Sequence, residues 1–340
     1  MENWQEVYAS AKQRCHKCRC CPQCNGAACR GETPGPGGKG SGNAFVRNID
    51  MLKQVFITMD TISENTEIST QTDFFGHEVS LPVYAAPISG IRLNYGADLD
   101  DLTYTQELVE GCLAAGSLAF SGDGMYDEMF CGPMDIIAKH QGYGIPTIKP
   151  WSESDMEWRI KLAKEGKALA IASDIDASGL TNLRNSVTPV GFKNVEELKK
   201  IKKMAEMPVI LKGILSVKGA RKALEAGVDG IIVSNHGGRV LDDCLSGIEV
   251  LEDIVKAVDG RMKIFVDGGF RSGNDVFKVL ALGADGVLIG RPISHAVIGD
   301  GANGVKLYLE KIQLELKEAM AMAGCKTIKD IQREHVCVKF

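Results

Sequence analysis

From about residue 81 onward, short apolar runs alternate with segments that have helical periodicity. The runs are rich in β-branched residues and are bounded by glycine or polar residues, which is typical of buried strands. Their alternation with helical segments indicates parallel βαβ units. The predicted strands are residues 81–87, 117–121, 144–148, 168–173, 208–212, 230–234, 263–267 and 286–290.

Eight strands, each followed by a helix, predict a closed (β/α)8 TIM barrel. Helix signals are clearest from residue 195 onward and at 216–226, 248–258 and 274–282, and residues 304–324 fit the last barrel helix. Residues 225–230 and 281–286 repeat the same helix-to-strand turn. The alternative is a doubly wound open sheet, which more often has a glycine-rich first βα turn.

The region before the barrel has a different character. Residues 1–15 have an amphipathic helical pattern, a cysteine-rich stretch follows, and glycine and proline exclude regular structure from residues 31–42. We therefore predict two parts: an N-terminal helix, cysteine cluster and loop at 1–47, and the barrel at 48–340.

Composition narrows the classes of function. The formal charge of −5 provides no basic surface, so no nucleic-acid partner is expected. No apolar stretch approaches the roughly 20 residues that cross a bilayer, so no membrane partner is expected. The polar first 15 residues lack a signal-peptide core, so a cytoplasmic location is expected.

Polar residues collect just after the predicted strands, on the side where α/β barrels hold their chemistry. The residues concerned are Pro87, Ser89, Ser121, Lys149, Trp151, Asp174, Lys212, His236, Arg239, Asp267, Gly268, Gly269, Arg271, Gly290 and Arg291. A single one of them could be an exposed loop residue. Together they predict one polar pocket.

Within this set, the sequence Ser-Asn-His-Gly-Gly-Arg at 234–239 provides a titratable base and an anion clamp. A capped turn with a hydrogen-bonded histidine is the simpler interpretation of His236 taken alone. The last two strands end in glycine-arginine loops that include Arg271 and Arg291, a pattern that favours phosphate binding at helix N-termini.

These motifs resemble the FMN-dependent 2-hydroxy acid oxidase and dehydrogenase family. The resemblance is carried by Leu-Lys-Gly-Ile at 211–214, by 234–239 with Leu-Asp at 241–242, by Asp-Gly-Gly at 267–269 with Arg271, and by Gly-Arg-Pro at 290–292. Weaker similarity extends back through 81–87 to about residue 48. The chain looks like a divergent member with a cysteine-rich N-terminus.

The resemblance implies a role for each matched residue. His236 corresponds to the base that takes the hydroxyl proton as hydride leaves the substrate for flavin N5, and Asp174 to the carboxylate that orients it. Arg239 corresponds to the carboxylate clamp and Lys212 to the cation beside flavin N1 and O2. The expected FMN-binding residues are Pro87, Ser121, Lys149, Lys212, Ser234, Asp267, Gly268, Gly269, Arg271, Gly290 and Arg291.

Three positions depart from the family pattern. Family members usually have two substrate-contacting tyrosines, where this chain has Gly31 or Glu32 and Trp151, and Lys149 replaces a common glutamine. Glu32 near the site would repel a carboxylate. The resemblance therefore supports FMN as the cofactor but does not identify the substrate.

Six of the 11 cysteines lie between Cys15 and Cys29, in the position of the family's N-terminal cap. The CxxC-like spacing of Cys18, Cys21, Cys24 and Cys29 favours a [4Fe–4S] cluster, with structural zinc or free thiols as alternatives. A cluster there would carry electrons away from FMN.

The predicted function is hydride transfer from a 2-hydroxy acid, or a related α-hydroxy carbonyl compound, to FMN. Two alternatives stay open: a flavin and iron–sulfur electron carrier or sensor without turnover, and a relative of type 2 isopentenyl diphosphate isomerase. The expected partners are a small-molecule substrate, an electron-acceptor protein and further copies of the chain in a homo-oligomer.

Overall fold

Eight parallel strands form the centre of the fold in the computed structural model, which describes residues 1–64, 67–186 and 189–340. The barrel strands are β4 (Val83–Ala85), β5 (Phe120–Ser121), β6 (Ile145–Ile148), β7 (Ile171–Asp174), β8 (Val209–Ile214), β9 (Gly230–Val233), β10 (Lys263–Asp267) and β11 (Gly286–Ile289). Four further strands lie outside it: β1 (Val55–Ile57), β2 (Thr72–Phe74), β3 (His77–Val79) and β12 (Val336–Val338).

The helices are α1 (Trp4–Arg14), α2 (Asn43–Leu52), α3 (Ile91–Tyr95), α4 (Asp101–Ala114), α5 (Glu128–Lys139), α6 (Glu153–Glu165), α7 (Thr181–Arg184), α8 (Val195–Ala205), α9 (Val217–Ala226), α10 (Gly247–Val258), α11 (Gly273–Ala281) and α12 (Arg291–Met322). Short 3₁₀ turns include Ala27–Cys29, Ile175–Gly179, His236–Gly238, Ile328–Asp330 and Arg333–His335.

The barrel strands are hydrogen-bonded in chain order, and β11 pairs with β4. A parallel bridge between Ala85 and Ala119 joins the first strand to the start of the second and closes the ring. The (β/α)8 prediction is confirmed, and each barrel strand overlaps its predicted run, with ends that differ by at most three residues. Glycine-bounded, fully buried runs made these strands easy to locate.

Two antiparallel strands close the amino end of the barrel. The β2–β3 hairpin places Phe74 against the rings of Tyr84, Phe120 and Phe265, with ring centroids 5.1–6.3 Å apart. All four side chains are at most 1% exposed. This aromatic plug leaves the carboxyl end of the strands as the side on which a pocket can form.

The N-terminal residues pack onto the barrel. Helix α1 lies against α12, where a Cβ on Gly299 would be 2.2 Å from the carbonyl oxygen of Val7, so glycine permits the close approach. Helix α2 spans the predicted boundary between residues 47 and 48, which therefore cuts a helix. The boundary between the two parts belongs before Asn43.

Helix α12 contains a break at Asp300 and Gly301, where the backbone leaves helical geometry. Its first part carries Arg291 and His295 and its second part packs against α4 and α11. Within residues 1–64, 67–186 and 189–340, no helix combines the length and apolar character required to span a bilayer.

Candidate active site

A cavity of about 230 Å³ lies at the carboxyl ends of the barrel strands. Its walls include most of the polar residues that the sequence placed there: Pro87, Ser89, Lys149, Lys212, His236, Arg239, Asp267, Gly268, Gly269, Arg271, Gly290 and Arg291. The volume is small for a ligand pocket, for which about 300–1,000 Å³ is usual. Residues 33–36 of the glycine-proline loop form part of its wall.

The loop after β9 holds His236 in a left-handed backbone conformation, with φ of 57°, followed by two glycines that also have positive φ. The hydroxyl of Ser234 accepts a hydrogen bond from the His236 N–H at 3.0 Å. The side chain of Asn235 accepts from the Gly238 N–H and bonds to Asn48 of α2. Backbone strain of this kind persists at functional sites when the surroundings fix it.

The carboxylate that contacts the histidine is Asp176, not Asp174. Asp176 Oδ1 lies 3.0 Å from His236 Nδ1, so Nε2 is the ring nitrogen left for a ligand. The prediction for Asp174 was wrong because the 3₁₀ turn Ile175–Gly179 carries the second aspartate under the imidazole. Nothing in the spacing of an Asp-x-Asp pair tells which carboxylate reaches the neighbouring loop.

The electrostatics of this pair suit a neutral base. Burial, and then the nearby Lys212 cation, lower the pKa of His236, while Asp176 acts in the opposite direction. Burial alone would raise the pKa of Asp176, but His236 and Lys212 outweigh it and lower that pKa to about 2. The carboxylate is therefore charged and ready to stabilise an imidazolium.

Asp174 instead forms a buried ion pair with Lys149, at 2.5 Å between Oδ2 and Nζ. A second pair joins Lys212 Nζ to Asp267 Oδ2 at 3.5 Å. Burial lowers the pKa of Lys212, but the charges of Asp267 and Asp176 raise it above its ordinary value overall. Ion pairs therefore hold both lysines in place at the floor of the pocket.

Trp151 is buried and does not line the pocket. Its Nε1 donates to Asp123 Oδ2 at 2.6 Å, and the Lys149 backbone N–H donates to the same oxygen at 2.9 Å. Burial raises the pKa of Asp123, with Arg159 opposing the rise. The indole N–H of Trp151 is therefore already bonded to the Asp123 carboxylate. The tryptophan cannot replace a substrate-binding tyrosine hydroxyl.

Three pocket arginines are bound by the N-terminal segment. Arg239 Nη1 donates to the carbonyl oxygens of Gly35 and Gly37, Arg291 Nε donates to Pro36 at 3.1 Å, and Arg271 Nη2 donates to Cys24 at 2.8 Å. All four of these acceptors are backbone carbonyl oxygens and not carboxylates. Burial and the neighbouring Arg291 lower the pKa of Arg239 to about 10.

A family model described as FMN-dependent dehydrogenase matches residues 36–118 and 147–338. The chain belongs to this family. A 4-hydroxymandelate oxidase of Amycolatopsis orientalis is 33% identical over 332 residues, which cover 87% of this chain and 90% of the relative. A peroxisomal (S)-2-hydroxyacid oxidase of Arabidopsis thaliana is 30% identical over 335 residues, covering 88% and 90%.

Solved structures agree with this assignment. A mandelate oxidase variant with (S)-mandelic acid superposes with a TM-score of 0.79 at 28% identity, and covers 100% of this chain and 99% of its own. Mandelate oxidase with benzoyl-formic acid superposes with a TM-score of 0.78 at 28% identity and the same coverage. The chain is an FMN-dependent oxidoreductase.

The residues at the carboxyl end fit FMN. Gly268 and Gly269 have φ of 97° and 96°, and α2 lies so close that a Cβ on Gly269 would be 2.5 Å from the Asn48 carbonyl oxygen. Several buried polar atoms around the pocket have no hydrogen-bond partner among the described residues: Ser121 Oγ, Thr147 Oγ1, Ser173 Oγ, Asp267 Oδ1 and Arg271 Nε. Such atoms are expected to bond a polar cofactor.

Three of the predicted site residues lie behind the pocket wall. Ser121, Asp174 and Ser234 do not line the cavity, although Ser121 ends β5 and Ser234 bonds the histidine loop. Residues that the sequence did not single out include Asp176, Asn94 and Thr147. Asn94 Oδ1 accepts from Arg239 Nη2 at 2.9 Å, and no local motif identifies it.

The two residues predicted at the position of the family's N-terminal tyrosine do not reach the pocket. Gly31 and Glu32 do not line the pocket, and Glu32 forms an ion pair with Arg19 at 2.8 Å instead. Gly35 and Pro36 occupy the wall next to Arg239. The expected repulsion between Glu32 and a substrate carboxylate is therefore not supported.

The four predicted iron–sulfur ligands do not form one group of atoms within 4.8 Å among the described residues. Cys18 Sγ lies 3.3 Å from His295 Nε2 on α12, and the thiol of Cys29 bonds back to its own turn at Gly26. The compact group in this region is Cys18, Cys20 and His295, without Cys21, Cys24 or Cys29. Because the thiolates of a [4Fe–4S] cluster bind different iron atoms and lie farther apart than the ligands of a single ion, the four-cysteine set stays a prediction from the sequence.

Proposed function

We propose that this FMN-dependent enzyme oxidises a 2-hydroxy acid with an apolar side chain to the 2-oxo acid, with His236 as the base and Arg239 as the carboxylate anchor. The observation that carries the proposal is the His236–Asp176 contact of 3.0 Å beside Arg239 in one FMN-family pocket. A carrier without turnover would need neither a base nor an anion clamp. The similarity to hydroxy acid oxidases also disfavours the isomerase alternative.

His236 takes the substrate hydroxyl proton at Nε2. The ring is neutral before the reaction because burial lowers its pKa, and Asp176 stabilises the positive charge that the proton brings. FMN held in this pocket would supply the acceptor for the hydride, which is the hydrogen and electron pair of the substrate C2–H bond. The alkoxide oxygen becomes the carbonyl oxygen of the product, so protons and electrons balance.

Arg239 holds the substrate carboxylate through its planar guanidinium. The carbonyl oxygens of Gly35 and Gly37 occupy its Nη1 donor, so a carboxylate must replace at least one of them. An anion bonds a guanidinium more strongly than a neutral carbonyl does, which favours this exchange. Lys149 and Lys212 stay paired with aspartates and hold positive charge at the pocket floor.

The remaining wall supports an apolar substituent on the substrate. Leu93, Met125, Met129, Leu180 and Leu183 line the pocket. Methionine side chains adapt to varied apolar shapes. The names of the relatives point to mandelates and to (S)-2-hydroxy acids, and the lining favours the larger, apolar members of that class.

An electron-acceptor protein, a homo-oligomeric state and a cytoplasmic location stay predictions from the sequence.

The test is anaerobic mixing of the FMN-loaded protein with a panel of 2-hydroxy acids while flavin absorbance is followed. We expect bleaching by acids with apolar side chains, and a loss of about 10²–10⁴-fold in its rate in His236→Ala with FMN content unchanged. His140→Ala, which alters a histidine on the barrel exterior, serves as the matched control. Absence of bleaching by every acid, or an unchanged rate in His236→Ala, contradicts the proposal.

A further inference from the structure

A group of thiols meets a buried histidine between the N-terminal segment and α12. Cys18 Sγ lies 3.3 Å from His295 Nε2, and the ligand atoms of Cys18, Cys20 and His295 all lie within 4.8 Å of one another. The Cys20 thiol also lies next to the thiols of Cys15 and Cys18. We call Cys15, Cys18, Cys20 and His295 the thiol–histidine cluster.

The cluster is a built interior site and not a set of surface cysteines. Cys15, Cys20 and His295 are 8%, 1% and 1% exposed. The rings of Tyr8 and Tyr95 pack edge-on against the imidazole, with centroids 5.8 Å away. Cys18 Sγ is the partner of His295 Nε2, so a thiol and an imidazole nitrogen face each other in this interior site.

The arrangement matches the preferences of zinc. A tetrahedral Zn²⁺ with Zn–S near 2.3 Å and Zn–N near 2.0–2.1 Å separates its ligand atoms by about 3.5–3.8 Å. The observed 3.3 Å between Cys18 Sγ and His295 Nε2 is within a few tenths of an ångström of this spacing. The sulfurs of Cys18 and Cys20 and one imidazole nitrogen converge here, and they select a thiophilic metal because magnesium and calcium prefer oxygen ligands.

Other features favour a metal over paired or free thiols. All 11 cysteines are unbridged, and Cys20 adopts a left-handed backbone with φ of 42° that a non-glycine residue disfavours. That conformation turns the chain so that the thiols of Cys18 and Cys20, two residues apart, reach the same point. A bond to a metal would offset the cost of this turn.

We propose that Cys18, Cys20 and His295 bind one structural Zn²⁺ ion and that Cys15, which lies beside Cys20 but outside their compact group, moves in to complete the shell. With four protein ligands the site is closed and does not take part in the oxidation. His295 lies one turn after Arg291 on α12, and Cys24 and Pro36 of the same N-terminal segment contact Arg271 and Arg291. The metal fixes this segment to the helix that begins at the FMN pocket.

The first test measures zinc bound per chain in the full-length protein after exhaustive dialysis. We expect about one zinc per chain, falling at least about fivefold in Cys20→Ser and in His295→Gln. Cys21→Ser and Cys29→Ser change thiols of the same segment outside the cluster and should keep the full amount. FMN content and circular dichroism show whether each variant is folded.

A second measurement uses the unmodified chain, so it does not depend on whether a variant folds. A chelator removes the metal, and Zn²⁺ is then added back without other metals. The thiols of the zinc-free and the zinc-loaded protein are labelled with an alkylating reagent under native conditions. Zinc should protect Cys15, Cys18 and Cys20 and leave the labelling of Cys21 and Cys29 unchanged. Co²⁺ in place of Zn²⁺ should give thiolate charge-transfer and tetrahedral d–d absorption.

Three outcomes overturn the proposal: no zinc bound when the metal is in excess, zinc lost in Cys21→Ser or Cys29→Ser but kept in His295→Gln, and iron with acid-labile sulfide in anaerobically purified protein. The last of these would restore the iron–sulfur interpretation. Because the readouts are metal content and labelling, the result does not depend on the proposed substrate.

Discussion

The strand ends of the barrel and the N-terminal segment of residues 15–40 build the same pocket in different ways. At the strand ends, a repeated βα pattern determines the direction of side chains such as Lys212 on β8. In the N-terminal segment, partners far away in the chain determine the shape. The Gly238 carbonyl oxygen accepts a hydrogen bond from the Lys39 N–H at 2.8 Å, and Arg239 donates to the carbonyl oxygens of Gly35 and Gly37. Periodic structure positions chemistry locally, whereas irregular structure depends on the completed fold.

The largest effect should come from Asp176, the aspartate that contacts His236 in place of the predicted Asp174. Asp176→Asn removes the charge that stabilises protonated His236, so we expect kcat to fall about 10²–10⁴-fold. Asp174→Asn unpairs Lys149 but leaves the His236 contact, and its loss should be at least about tenfold smaller. Stopped-flow flavin reduction measures both. Equal losses in the two variants would show that the contact between Asp176 and His236 gives Asp176 no special role in catalysis.

The next effect concerns an arginine shared by both regions. Arg271→Ala removes a cation from the expected phosphate site and a bond to Cys24, so the FMN dissociation constant should rise about 10–100-fold. Arg92→Ala removes an exposed arginine that pairs with Asp98 and should leave FMN binding unchanged. Flavin fluorescence on dilution measures the release. Unchanged FMN affinity in Arg271→Ala would show that Arg271 holds the N-terminal segment but does not bind FMN.

A third change acts on the N-terminal segment itself. A Cβ on Gly37 would lie 1.6 Å from the Cys29 carbonyl oxygen, whereas a Cβ on Gly191 meets nothing within 4 Å. Gly37→Ala should therefore lower the free energy of unfolding by about 1–3 kcal/mol, and Gly191→Ala should leave it nearly unchanged. Denaturant unfolding of the FMN-loaded protein measures both. Equal stability of the two variants would show that the segment adapts freely.

The smallest effect is a pH dependence. Burial and Lys212 lower the pKa of His236 below its ordinary value of about 6.5. The neutral ring is the active base, so kcat/KM should be level near neutral pH and fall about tenfold per pH unit below that pKa. Asp176→Asn removes a charge that raises this pKa and should move the inflection to lower pH. An inflection well above 6.5 would contradict the description of the site.

The same contrast explains what the sequence could predict. The barrel strands follow from short buried runs, and their chain order follows from the parallel βαβ rule. The residues after them were therefore found by position alone. The choice between Asp174 and Asp176 depends on a single 3₁₀ turn, and the pairing of Cys18 with His295 joins residues 277 apart. Neither contact leaves a periodic signal.

The aromatic plug formed by Phe74 has a kinetic consequence. Because it seals the amino end of the barrel, substrate, product and electron acceptor all approach through the opposite mouth. An acceptor too large to share that mouth must wait until the 2-oxo acid has left. With such an acceptor, double-reciprocal plots at several acceptor concentrations should be parallel, whereas a small acceptor that reaches the product complex should give intersecting lines.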